Sequence, residues 1–131
     1  MAQGPTTWLN RGTIAAALLG AAAFAQPALA QEGDAARGRT LFQRQCQTCH
    51  QMAQPRNGVG PHLQGIAGKA AASVEGFNYS PALRSAGLSW TPENLNDYLA
   101  NPVAKVPGTR MVNRVPAEQD RRDIIAFLAN P

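Results

Sequence analysis

Between Gly- and Pro-rich stretches the chain carries four segments in which apolar positions recur at helical spacing. In the first, Gly38, Leu41, Phe42 and Gln45 fall on one face, and Asp34 can cap the start, predicting a helix over 34–47. Residues 51–68 hold two Pro and four Gly and read as loop. A short helix is predicted over 80–85, with Pro81 at its first position. Thr91-Pro92-Glu93 opens a better one, with a cap, Pro at N1 and an acidic first turn. Leu95, Tyr98 and Leu99 form its apolar stripe, and Pro102 is expected to help end it. The last helix is predicted from near Pro116 to Asn130, with Ile124, Ile125, Phe127 and Leu128 on one face. No segment sustains strand alternation, so the expected fold class is all-α.

The first thirty residues read differently. Arg11 is the only charge before Glu32, residues 13–25 are apolar and Ala-rich, and Ala28-Leu29-Ala30 has the small-x-small pattern of a cleavage site. Together these predict a secretory signal over 1–30, cleaved near Ala30, and a working domain over 31–131. No second apolar run is long enough to cross a membrane, so no span is expected in the mature chain. The mature chain carries eleven Lys and Arg against eight Asp and Glu, a net +3. It has no basic run and no aromatic interleaving, so a nucleic-acid surface is unsupported.

Chemistry concentrates in Cys46-Gln47-Thr48-Cys49-His50. C-x-x-C-H is the attachment pattern of c-type haem. Each thiol can add across one vinyl group of a porphyrin, and the adjacent imidazole then lies under the iron. These are the only two cysteines. A disulfide would leave His50 unexplained and would close a very small loop. Zinc usually takes four ligands, and beyond these three only His62 is a plausible fourth. A thioredoxin-like motif would need a βαβ context, which is missing. One covalently bound haem is therefore expected, and its two propionates would bring the net charge to about +1.

The order of motifs around this site resembles the class I c-type cytochromes, of the mitochondrial and bacterial c2 type. The likeness covers nearly all of residues 33–128. It rests on Gly38 and Phe42 before the attachment motif, Gly60-Pro61-x-Leu63-x-Gly65, and Gly76-Phe77-x-Tyr79-Ser80. Trp90, Tyr98-Leu99-x-x-Pro102 and Val106-Pro107-Gly108-Thr109-Arg110-Met111 continue it, and the 124–128 helix closes it. The resemblance implies a small helical fold around one haem and Met111 as the ligand opposite His50. Met52 is too close to His50 along the chain to reach the far face, and the family counterpart of His62 stays on the His50 side. A thioether ligand stabilises reduced iron. With both axial positions filled, the chemistry left is exchange of one electron rather than enzymatic turnover.

Other roles follow from the same resemblance. His50 must keep its second N–H satisfied, and the family acceptor corresponds to the Pro61 carbonyl. Tyr79 and Trp90 match donors to a buried propionate, Thr109 matches a further donor, and Tyr98 is expected to turn its hydroxyl toward the Met111 sulfur. Gly38 is expected to let the first helix approach the last near Ile124 and Phe127. Two departures stand out. Asn113 occupies the place of an aromatic that covers the haem edge, and lysines are sparse, with Arg44, Arg110 and Arg114 standing beside Lys69 and Lys105. The expected function is a periplasmic, respiratory-type electron carrier. Its partners would be drawn from quinol-oxidising complexes, dehydrogenases and terminal oxidases. The rivals are a cytochrome subunit fixed to one dehydrogenase, and a peroxidase or gas-binding haem protein.

Overall fold

The computed structural model describes residues 32–131, together with Met1 and Gly4. The predicted signal segment falls outside the described residues. Five helices follow one another: α1 (Ala35–Gln45), α2 (Pro81–Ser85), α3 (Pro92–Ala100), α4 (Pro102–Lys105) and α5 (Glu118–Ala129). Among the described residues no strand forms, and one isolated antiparallel bridge joins Ala70 to Ser89.

Side chains that compete with the backbone set where the helices begin. Asp34 accepts from the Ala36 and Arg37 amides at 2.9 and 3.0 Å and starts α1. Ser80 and Thr91 do the same for α2 and α3, each followed by Pro at N1. α4 was not expected. Pro102 does not simply stop α3; Asn101 caps the Ala104 amide at 3.3 Å, and Pro102 begins a further turn. A proline at N1 lacks only a donor that a first turn does not use. α5 begins two residues later than predicted, because Ala117 supplies no side-chain cap and Glu118 and Asp120 form the acidic first turn.

The core gathers where α1, α3 and α5 meet: Leu41, Phe42, Leu95, Leu99, Ile124, Phe127 and Leu128 are all buried. α1 crosses α5 closely at Gly38. A Cβ there would collide with the Asp123 carbonyl and press on the Phe127 Cβ at 3.0 Å, so the expected glycine contact is real but falls one residue before Ile124. The Phe42 and Phe127 rings lie 5.4 Å apart beside it. Asp123, 1% exposed, closes this crossing from within. Its carboxylate accepts from the Asp34 amide and the Gln119 side chain, each at 2.8 Å, and from the Arg37 guanidinium. The long segment between α1 and α2 wraps the other side. It is tied to the approach to α3 where Gly68 donates to the Trp90 carbonyl and Trp90 to that of Lys69.

Candidate haem-binding site

α1 ends where the chemistry begins. Cys46 is its C-cap, and the next turn folds back so that the Cys49 and His50 amides both donate to the Cys46 carbonyl at 3.0 Å. This turn projects Cys46, Cys49 and His50 into a cavity of about 620 Å³. The opposite walls come from later in the chain: Pro61 and Leu63, then Tyr79, Ser80 and Trp90, then Tyr98, and finally Thr109, Arg110 and Met111. Cys46, Cys49, His50, Pro61, Tyr79, Trp90, Tyr98, Thr109 and Met111, the nine residues expected to bind haem, therefore line one cavity. Met52 and His62 do not line it.

His50 is oriented from behind. Its Nδ1 lies 2.7 Å from the Pro61 carbonyl. A carbonyl can only accept, so Nδ1 carries the hydrogen and Nε2 keeps its lone pair. Burial lowers the His50 pKa, while the Pro61 carbonyl opposes that shift by favouring a proton on the ring. The ring lies against Gly60, where any Cβ would overlap the imidazole at Cε1. The Gly60 amide in turn donates to the Cys49 carbonyl at 2.9 Å, and Leu63 donates to that of Gln51 at 2.8 Å. The Gly-Pro segment is thus stitched to the attachment turn, not merely near it.

Both cysteines are free thiols. Burial, helped by the neighbouring Cys49, pushes the Cys46 thiol up to about 11. It stays protonated at neutral pH, as a buried thiol without a nearby cation does. Among the described residues no three of His, Cys, Asp and Glu converge to hold an ion, so zinc is unsupported. A broad, mainly apolar slot, with two free thiols and one backed imidazole on a single wall, fits a covalently tethered porphyrin.

The polar residues of the far wall are partly engaged with each other. The Tyr98 hydroxyl lies 2.6 Å from the Thr109 hydroxyl, and either can donate to the other, so the group expected to serve a propionate is engaged with Tyr98. The Tyr79 hydroxyl accepts weakly from the Val74 amide at 3.4 Å and keeps its own hydrogen to donate. Burial raises the pKa of both tyrosines, so both remain donors at neutral pH. The Trp90 and Tyr98 rings pack at 5.0 Å. Lys105 is drawn away into an ion pair with Asp97 at 2.9 Å, leaving Arg110 as the cation lining the cavity.

Arg121 was missed by the sequence reading. It is buried, and its guanidinium donates to the Val115 and Pro116 carbonyls at 2.9 and 2.7 Å and to the Asn96 side chain at 2.8 Å. It anchors the far end of the segment that carries Met111. The available signal was positional, since Arg121 stands three and seven residues before Ile124 and Leu128, on the apolar stripe itself.

The family model described as cytochrome c matches residues 35–130. The chain belongs to the cytochrome c family. Cytochrome c2 of Rhodomicrobium vannielii is 43% identical over 118 residues, covering 88% of this chain and 94% of that protein. Cytochrome c-type cyt cy of Rhodobacter capsulatus is 46% identical over 97 residues, which is 73% of this chain and 48% of that longer relative. Among solved structures, cytochrome cH from Methylobacterium extorquens superposes with a TM-score of 0.69 at 42% identity, over 73% of this chain and 97% of that one. Membership in this family, with Cys46 and Cys49 at attachment spacing, makes haem c the cofactor of this cavity.

Proposed function

We propose that this monohaem c-type cytochrome is an exported one-electron carrier whose iron is held between His50 Nε2 and the Met111 sulfur. Bound haem supplies a one-electron iron couple; the chain supplies its ligands, its dry surroundings and its exposed edge. The observation that carries the reading is the backed His50 ring and Met111 lining one cavity from segments 61 residues apart. Several bonds hold the Met111 segment, before the sulfur-bearing residue and after it. Thr109 pairs with Tyr98, Arg110 donates to the Asn78 carbonyl at 2.6 Å, and the Val115 amide donates to the Leu99 carbonyl at 2.8 Å. Apolar walls from Leu41's neighbour Phe42, Leu83, Leu95 and Leu99 exclude water, which keeps the couple from opening to side chemistry. Tyr79, Trp90 and Ser80 form the polar end at which propionates would be received. The reading is of a carrier rather than an enzyme. The proposed compartment is the periplasm, and the proposed partners are a quinol-oxidising complex or a dehydrogenase on one side and a terminal oxidase on the other.

The test is the visible spectrum of the purified haem-loaded protein. Thioether ligation predicts a weak band toward the red end of the oxidised spectrum. Met111→Ala is expected to abolish it, lower the potential and admit carbon monoxide. An identical spectrum in Met111→Ala would remove Met111 from the ligand set. A second reading, a cytochrome fixed to one dehydrogenase, draws support from Val59 and Val112, which line the cavity yet are 81% and 70% exposed. Size exclusion of the native protein separates the two, since a free carrier elutes alone.

A further inference from the structure

The Met111 segment is tied down at many points, but almost all of its ties lead to the same side of the cavity. Thr109 is bound to Tyr98 of α3, Arg110 to Asn78, Arg114 to the Ala100 carbonyl at 3.3 Å, and Val115 to Leu99. One tie crosses to the other side. The Asn113 side-chain amide donates to the Gln45 carbonyl at 3.3 Å. Gln45 is the last residue of α1 and immediately precedes Cys46. Among the described residues no other hydrogen bond joins 106–116 to α1 or to the attachment turn. Asn113, Cys46 and Cys49 all line the cavity, so the bond lies between the half that carries the thiols and His50 and the half that carries Met111.

The Gln45 carbonyl is available for a structural reason. At the end of a helix the last carbonyls have no partner within the helix and seek one outside it. Asn113 is well suited to supply it, since its amide is a donor with no charge to desolvate. Of its neighbours, Met111 and Val112 carry no donor on their side chains, and Arg114 donates to the Ala100 carbonyl instead. We propose that Asn113 is a positioning residue. It latches the Met111 segment to α1 and so sets how often that segment swings away from the cavity. This rests on the His50/Met111 reading above. Where an aromatic would cover the mouth by bulk, this chain closes it with a directed bond.

The experiment uses the oxidised, haem-loaded protein, mixed with excess imidazole in stopped flow at high salt, with thermal denaturation measured in parallel. In the wild type the rate of imidazole entry should rise with concentration and then level off, the plateau reporting how fast the Met111 segment opens. Asn113→Ala removes the donor and the bulk. Asn113→Asp keeps the size but offers a carboxylate, which cannot donate to a carbonyl. Both are expected to raise the plateau by about two- to tenfold, the range of one modest hydrogen bond, with little movement of the melting temperature. An unchanged plateau in both variants overturns the latch. So does acceleration in Asn113→Ala alone, because bulk rather than donation would then be the cause. A wild-type rate that never levels off, and that Met111→Ala does not alter, would mean that Met111 does not close the site, and the ligation reading would fall together with the latch.

Discussion

At the scale of single residues, the site is built by making alternatives sterically or electrically costly. Gly60 is the clearest case. The His50 ring occupies the space where a Cβ would stand, and the Pro61 carbonyl holds that ring from the other side. Neither can give without the other. Gly60→Ala is therefore expected to displace the imidazole, costing about 1–3 kcal/mol by overpacking and altering the visible spectrum. Denaturant titration and absorbance of the purified variant check both. This residue and its neighbours were legible in sequence because their roles are local: two thiols, an imidazole and a Gly-Pro pair lie within sixteen positions of one another. The pairing of Tyr98 with Thr109 was not legible. It depends on where two distant backbones come to rest, and neither spacing nor residue type encodes that. The same holds for Asn113, which from sequence looked like a lost shield and in space is a donor facing the end of α1.

At the scale of elements, the α1–α5 crossing is where helix pattern turns into a defined packing. The apolar periodicity located both helices, and Gly38 marked their point of closest approach. What periodicity left out was the buried polar centre of that crossing, because Asp123 reads as an ordinary helix charge until its three donors are seen. Burial alone would raise the Asp123 pKa. The Asp34 amide, Arg37 and Gln119 together outweigh it, and the net shift is downward from 3.8. A carboxyl whose folded pKa lies below its unfolded value stabilises fully above the unfolded value. That contribution is lost as pH falls through the lower, folded one. The wild type should accordingly lose stability as pH falls below about 5, and go on losing it below the ordinary carboxylate range. Asp123→Asn should be less stable at neutral pH by about 1–3 kcal/mol, with a shallower decline over the acid range. Denaturation midpoints across that range decide it, and parallel curves would show that other carboxylates carry the acid sensitivity. The short α4 was hidden for a simpler reason. Pro102 reads equally well as the stop of one helix and the start of the next, and only the Asn101 cap resolves which.

At the scale of the whole molecule, the charge pattern is sparser at the mouth than the sequence suggested. Lys105 is paired with Asp97, whereas Arg110 lines the cavity beside exposed Val112. Charge at the mouth acts chiefly on the rate of encounter. Arg110→Glu should slow electron exchange with an acidic redox protein roughly three- to tenfold at low salt, more than Lys105→Glu does. The difference should fade near physiological ionic strength, where the screening length is about 8 Å. Stopped-flow rates over a salt series test this, and equal effects of the two reversals would place the contact elsewhere. The clasp between α1 and α5 also ties the attachment turn to the far end of the chain. Asp34 and Asp123 are 89 positions apart, and their hydrogen bond joins the cap of the first helix to the last helix. Closing a loop that long costs little more entropy than closing a shorter one, because the cost grows only slowly with length. Cys46 is the C-cap of the same α1, so the base from which the attachment turn springs is held by residues near the opposite terminus, and a change that loosens α5 reaches the thiols without touching them.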